Sequence, residues 1–89
     1  SIYVTKDGGK TLKEIELPMD TVTEYPPHMQ EYGFTLEDYQ YLEMPQQDGE
    51  NYTIHVMTQS GETEGLVFTS EDQGENWSFT GVFDENNVS

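Results

Sequence analysis

The sequence of 89 residues predicts one small all-β domain, an antiparallel four-stranded meander preceded by an N-terminal β-hairpin. Three observations lead to this prediction. Apolar and polar residues alternate in several short runs, which is the period of a half-buried strand. Gly, Asp and Pro separate these runs at short intervals, as tight turns require. The chain has no cysteine and 12% of its residues are aromatic, so large rings must supply much of a small core.

The hairpin is assigned to residues 1–17. Residues 2–5 are Ile, Tyr, Val and Thr, all of them β-branched or aromatic, and this composition favours a strand. The sequence Asp-Gly-Gly at 7–9 marks a turn. Alternation over residues 12–17 predicts the return strand, and Pro18 ends it.

Residues 18–38 are predicted to form an irregular loop. The pair Pro26-Pro27 argues against a regular helix or a central strand. Thr35, followed by acidic residues, resembles a helix start, so the pattern allows one short helical turn near residues 35–39 or direct entry into a strand.

The meander is assigned to residues 39–83. Each strand shows period-two alternation, and Pro45, an Asp-Gly pair and Ser-Gly-Glu mark the breaks. The predicted strands cover residues 39–44, 51–59, 65–70 and 77–83. The polar residues 84–89 are assigned to a tail.

Two eight-residue segments repeat one pattern, Ser/Thr-x-Asp-x-Gly-x-Thr/Asn followed by Leu or Trp. They are residues 5–12 (TKDGGKTL) and 70–77 (SEDQGENW), and each follows a run of β-forming residues. A carboxylate in a tight turn can accept backbone N–H groups that have no ladder partner, and glycine allows the positive φ that the turn needs. The residues expected to build these structural turns are Thr5, Asp7, Gly9, Thr11, Ser70, Asp72, Gly74 and Trp77.

The repeated pattern resembles the Asp-box, also called the BNR repeat, of sialidase-like β-propellers. The resemblance implies that residues 39–83 correspond to one propeller blade and residues 1–17 to the outer half of the preceding blade, as in a propeller fragment. It also implies that the turns are structural and lie away from the ligand-binding centre. Asp7 and Asp72 are 65 residues apart. This spacing exceeds a blade repeat of about 40–50 residues, and the inserted Pro-rich loop accounts for the excess.

The charge of the chain is strongly acidic, with 18 acidic residues, three lysines, no arginine and a net charge of −15. Lys6, Lys10 and Lys13 all lie in the first hairpin. Asp7 is the one acidic residue before Glu14, so the other 17 of the 18 follow without any Lys or Arg. Such a chain repels phosphate groups, and we expect no nucleic-acid partner. No run approaches the roughly 18 apolar residues of a membrane span, so no membrane insertion is expected.

Enzymatic activity is not expected. Sialidases, which the turns resemble, bind the substrate carboxylate with a cluster of arginines, and lysine does not reproduce that two-pronged geometry. This chain contains no arginine. Its many carboxylates do not by themselves indicate a hydrolytic pair. No cofactor is expected.

Three functions are compatible with these features. The first is a non-catalytic structural or interaction domain that pairs with a protein partner, or with itself, through exposed sheet edges. An alternative is a carbohydrate-binding module that uses Tyr32, Tyr39 and Tyr41. A second alternative is a calcium-dependent adhesion domain, for which Asp48 and Glu50 are weak candidates as oxygen ligands. Because the sequence opens on an apolar run without a recognisable signal peptide, we expect a segment of a longer extracellular or surface-anchored bacterial protein.

Overall fold

The computed structural model describes residues 2–5, 7–59 and 63–85, and within these ranges the strands form two antiparallel sheets. The strands are β1 (Ile2–Val4), β2 (Lys13–Ile15), β3 (Tyr41–Leu42), β4 (Gln46–Asp48), β5 (Asn51–Met57), β6 (Glu64–Ser70) and β7 (Ser78–Asp84). β1 pairs with β2, and the larger sheet has the order β3-β5-β6-β7, with β4 also paired to β5. The predicted all-β fold, a hairpin followed by a meander, is confirmed.

The first strand of the meander is shorter than predicted. The alternation indicated a strand over residues 39–44, but β3 covers Tyr41–Leu42, and β4 begins after Pro45. Pro45 has no N–H to donate and cannot continue the ladder. The chain nevertheless stays beside β5, where the Glu43 N–H donates to the His55 carbonyl at 3.0 Å. This edge of the sheet is therefore divided into two short pieces, which limits pairing with another chain.

The segment 18–38 contains a helix that contradicts the predicted irregular loop. A 3-10 turn covers Met19–Thr21, and the helix α1 covers Pro27–Tyr32. The prediction is wrong at α1 because Pro27 lies at the start of the helix, where its missing N–H and fixed φ are tolerated. Gly33 ends α1 in the left-handed conformation, with φ of 72°. Within the described ranges, no helix is long and apolar enough to cross a membrane.

The helical turn that the sequence allowed near residues 35–39 is a 3-10 turn, Leu36–Asp38. Asp38 Oδ2 accepts the Thr35 N–H at 2.8 Å. The Asp38 N–H donates to the Thr35 carbonyl at 3.0 Å. These two bonds close the turn on the residue that precedes it and direct the chain towards β3.

The hydrophobic core lies where β5 and β6 meet. Ile54 is opposite Phe68, and Val56 is opposite Leu66 in the antiparallel register. All four side chains are at most 1% exposed. Burying each of them contributes about 1.5–3 kcal/mol to folding. The buried cluster is completed by Val22, Tyr39 and Trp77.

The side chains that the structure describes in the N-terminal hairpin lie outside this core. Tyr3 is 58% exposed and Leu12 is 63% exposed. Among the side chains described between residues 3 and 16, none belongs to the buried cluster or packs against it. Leu17, two residues after β2, packs against the cluster. The first described side chain after β2 that contacts the core is therefore that of Leu17.

Gly65 lies at a point of close approach between β5 and β6. A Cβ atom at this position would be 2.3 Å from the carbonyl oxygen of Val56 and 2.9 Å from the ring of Phe83. The carbonyl belongs to the backbone of a central strand, so it cannot move aside without disturbing the sheet. Glycine is therefore required here for space rather than for an unusual φ.

We expect Gly65→Ala to reduce the free energy of unfolding by about 2–3 kcal/mol, the upper range for overpacking of a core. Ser78→Ala, on the exposed edge strand β7, is the control and should change this free energy by less than about 0.5 kcal/mol. Urea unfolding followed by Trp77 fluorescence measures both. Equal midpoints for Gly65→Ala and the wild type would contradict the close approach.

Candidate functional site

The first of the two repeated turns, residues 5–12, is built around the Asp7 carboxylate. Oδ1 accepts the Thr11 N–H and the Thr5 hydroxyl, each at 2.9 Å. Oδ2 accepts the Thr11 hydroxyl. The Thr5 oxygen in turn accepts the N–H groups of Gly9, at 2.9 Å, and of Asp7, at 3.3 Å. Two side chains thus satisfy three backbone donors at the corner between β1 and β2.

The second turn, residues 70–77, repeats this arrangement position by position. Asp72 Oδ1 accepts the Asn76 N–H and the Ser70 hydroxyl, each at 2.8 Å. Oδ2 accepts the Asn76 side-chain amide at 2.6 Å, in the place of the Thr11 hydroxyl. The Ser70 oxygen accepts the N–H groups of Gly74, at 2.8 Å, and of Asp72, at 3.3 Å. The two turns share one hydrogen-bond pattern.

The backbone of the two turns is also the same. Gly9 and Gly74 have φ of 94° and 87°, and the residues before them, Gly8 and Gln73, have φ of 72° and 60°. Residues with a Cβ atom disfavour this left-handed region. Two consecutive left-handed residues reverse the chain so that the N–H groups after them point towards the aspartate.

The turns differ in their attachment to the core. Trp77 is 8% exposed, and its indole N–H donates to the Gly74 carbonyl at 2.9 Å. The equivalent residue of the first turn, Leu12, is 63% exposed. The second turn is also tied to the β4–β5 turn, because the Gln73 N–H donates to the Glu50 carbonyl at 3.0 Å. The second turn is therefore joined to the core, whereas no described side chain of the first turn packs against it.

Hydrogen bonding lowers the pKa of both aspartates. The pKa of Asp72 is lowered to about 2, first by the Asn76 N–H, then by the Asn76 amide and the Ser70 hydroxyl. The pKa of Asp7 is lowered to about 2, first by the Thr11 hydroxyl, then by the Thr11 N–H and the Thr5 hydroxyl. Both groups are thus ionised at neutral pH and already engaged as acceptors. They are suited to holding a turn and poorly suited to acting as a general base, which needs a pKa nearer the working pH.

The three tyrosines considered for sugar stacking do not form a common platform. Tyr39 is buried at 4% exposure, whereas Tyr32 and Tyr41 are 60% and 50% exposed. The Phe34 ring contacts the rings of both Tyr32 and Tyr39, and its plane is inclined at 59° to the Tyr32 ring and at 90° to the Tyr39 ring. Burial, followed by Glu64 and Asp38, raises the pKa of Tyr39 to about 12. Tyr39 is a core residue rather than a surface for ligands.

Sequence reasoning missed Glu64, whose carboxylate is buried at 3% exposure. Its Oε1 accepts the His28 N–H and lies 3.4 Å from His28 Nδ1. It therefore anchors the start of α1 to β6. The available signal was the phase of the strand, since Glu64 shares its alternation with the buried Leu66 and Phe68.

The proposed calcium ligands, Asp48 and Glu50, flank Gly49 in the β4–β5 turn and are exposed. Across residues 2–5, 7–59 and 63–85, no group of three or more His, Asp or Glu side chains is arranged to hold a metal ion. His55, the second histidine, instead stacks on Phe83 at 4.2 Å and lies 3.4 Å from a Glu43 oxygen. The geometry gives calcium binding no support.

Comparison with known proteins identifies no relative. No protein-family model matches the chain, and neither a curated protein nor a solved structure is significantly similar to it. The resemblance to the Asp-box thus rests on the two eight-residue patterns.

Removing each aspartate separates the roles of the two turns. Asp72→Ala is expected to lower the urea midpoint of global unfolding, because the donors of Asn76 and Ser70 lose their acceptor in a turn that is joined to the core. Asp7→Ala removes the same bonds from a hairpin outside the core. It should leave the global midpoint unchanged, because such a hairpin opens locally without unfolding the core. Equal midpoint shifts for the two variants would show that both turns support the core.

The lowered pKa of Asp72 predicts a stability change in acid. The ordinary pKa of 3.8 applies to the unfolded chain and a pKa of about 2 to the folded one. The stabilisation is therefore complete above the unfolded value and is lost as pH falls through the folded value. The difference in melting temperature between wild type and Asp72→Asn should be constant above about pH 4.5 and shrink between about pH 4 and 2. A constant difference over this interval would contradict the assignment.

Proposed function

We propose that the chain is a non-catalytic structural and interaction domain, one unit of a larger extracellular or surface-anchored bacterial protein. The shared hydrogen-bond pattern of the two turns supports this proposal, since it places the same corner at two positions of one chain. The engagement of both aspartates within the turns supports a structural role for them. The likeness of the turns to Asp-boxes agrees with a role in building an extended β structure.

One observation carries the interaction role. In the larger sheet, the strand before the second turn, β6, pairs with β7 on one side and with β5 on the other. The strand before the first turn, β1, pairs with β2 alone among the described strands. A two-stranded hairpin is marginally stable in water, and a third strand or a packed face is needed to support it. On the face of the hairpin whose side chains the structure describes, Tyr3 and Leu12 are exposed. We infer that the hairpin is completed by strand addition from a partner at the free edge of β1.

Carbohydrate binding, the alternative function, has weaker support. A shallow groove is lined by residues from the end of the connecting segment, by Tyr41, and by residues after β5. Tyr41 and the half-buried Phe34 contribute rings, but these are not joined by the Tyr39 ring into a flat surface. The groove therefore lacks the stacking platform on which that alternative was based.

Amide hydrogen exchange on the dilute, monomeric chain tests the proposal. The amides of β1 and β2 should exchange nearly as fast as an unfolded peptide, because the hairpin opens with a free energy near zero, whereas β5 and β6 should open only with global unfolding. The second turn, with the same hydrogen bonds on a supported sheet, is the internal control. Protection of β1 equal to that of β6 would mean that the hairpin needs no partner, and the proposal would be rejected.

A further inference from the structure

The two turns carry opposite charges at equivalent positions. Lys6 of the first turn aligns with Glu71 of the second, and Lys10 aligns with Glu75. Lys10, Glu71 and Glu75 are exposed. Because the hydrogen bonds and left-handed residues of the turns are the same, charge is a main difference between their surfaces. The sequence thus places opposite charges at the same two positions of the two turns.

A groove adjoins the acidic turn. It has a volume of about 510 Å³ and is lined by Thr69, Glu71, Asp72, Asn76, Ser78 and Thr80. Hydroxyl and carboxylate oxygens line it, and a lysine ammonium offers three donors and no acceptor. With Asp72 engaged inside the turn, Glu71 is the carboxylate that remains to face a cation. The groove therefore matches a lysine-bearing segment.

We propose that the lysine-bearing first turn of one copy of this chain docks into the groove beside the second turn of another copy. This inference rests on the proposed function, in which the hairpin is the interacting element. The three lysines of the hairpin are the sole Lys or Arg residues of the chain, so they are the cations that a second copy can present. Each copy keeps one free first turn and one free groove, so the contact is head-to-tail and can continue along a row of molecules.

Repulsion between copies, each with a net charge of −15, opposes this contact. Its range is limited, because the Debye length is about 8 Å at physiological ionic strength. The turn and groove meet within it. Exposed ion pairs are individually weak, so the association should be weak and concentration-dependent.

Charge exchange between the turns provides the experiment. Variant A, Lys6→Glu with Lys10→Glu, has two acidic turns, and variant B, Glu71→Lys with Glu75→Lys, has two basic turns. Sedimentation equilibrium measures the association constant of the wild type, of each variant and of their mixture. The salt concentration is about 0.15 M, where the Debye length is about 8 Å. Melting curves establish that each variant is folded. If a charge reversal unfolds the chain, a neutral substitution takes its place. Lys10→Gln then replaces variant A, and Glu71→Gln replaces variant B.

The wild type should associate reversibly, and variants A and B alone should associate about tenfold more weakly. The mixture should regain association, because the acidic groove of A can receive the basic turn of B. A fully monomeric wild type, or a mixture no more associated than A alone, would overturn the inference. If this occurs while the β1 amides remain unprotected in the monomer, the hairpin still requires a partner, but that partner is another protein.

Discussion

The hydrogen bonds that Asp72 accepts determine the path of the chain between β6 and β7, and the rest of the larger sheet depends on that path. The carboxylate accepts hydrogen bonds from the backbone and side-chain amides of Asn76 and from the Ser70 hydroxyl, at 2.6–2.8 Å. At a sheet corner such donors would otherwise depend on water. The turn then places Trp77 directly before β7, where the indole joins the buried cluster and its N–H donates to the Gly74 carbonyl. One carboxylate therefore links a local turn to the packing of the whole sheet.

The first turn shows that hydrogen bonds to an aspartate do not by themselves attach a turn to the core. Asp7 accepts an equivalent set of hydrogen bonds, with the Thr11 hydroxyl in place of the Asn76 amide. Leu12 is nevertheless exposed, and no side chain described between residues 3 and 16 packs against the core. Hydrogen bonds within a turn set its shape, but burial of a large side chain is needed to attach that shape to a domain. The hairpin is thus well formed at its corner, and no side chain described between residues 3 and 16 packs against the core. This combination, together with its three lysines, is what makes it the candidate interaction element.

The distance in sequence between interacting groups explains what the sequence could predict. The turns were predictable because every donor and acceptor of Asp7 or Asp72 lies within five residues. The strands β5 to β7 were predictable because alternation follows from one buried face. The helix α1 was missed because Pro27 either breaks or begins a helix according to its position, and the carboxylate that anchors this start, Glu64, is 36 residues from His28. The burial of Tyr39 was not predictable from its neighbours in sequence, because Tyr39 belongs to a buried cluster whose other members are distant in sequence.

The most direct test of the central claim is the scalar coupling across the hydrogen bond from the Asn76 amide nitrogen to the Asp72 carboxylate carbon, measured by NMR at neutral pH. The corresponding pair, Thr11 and Asp7, is measured in the same spectrum. The account predicts a resolved coupling for Asn76, with slow exchange of its amide proton. Absence of the coupling, with an Asn76 amide that exchanges as in an unstructured peptide, would show that the carboxylate does not hold the turn.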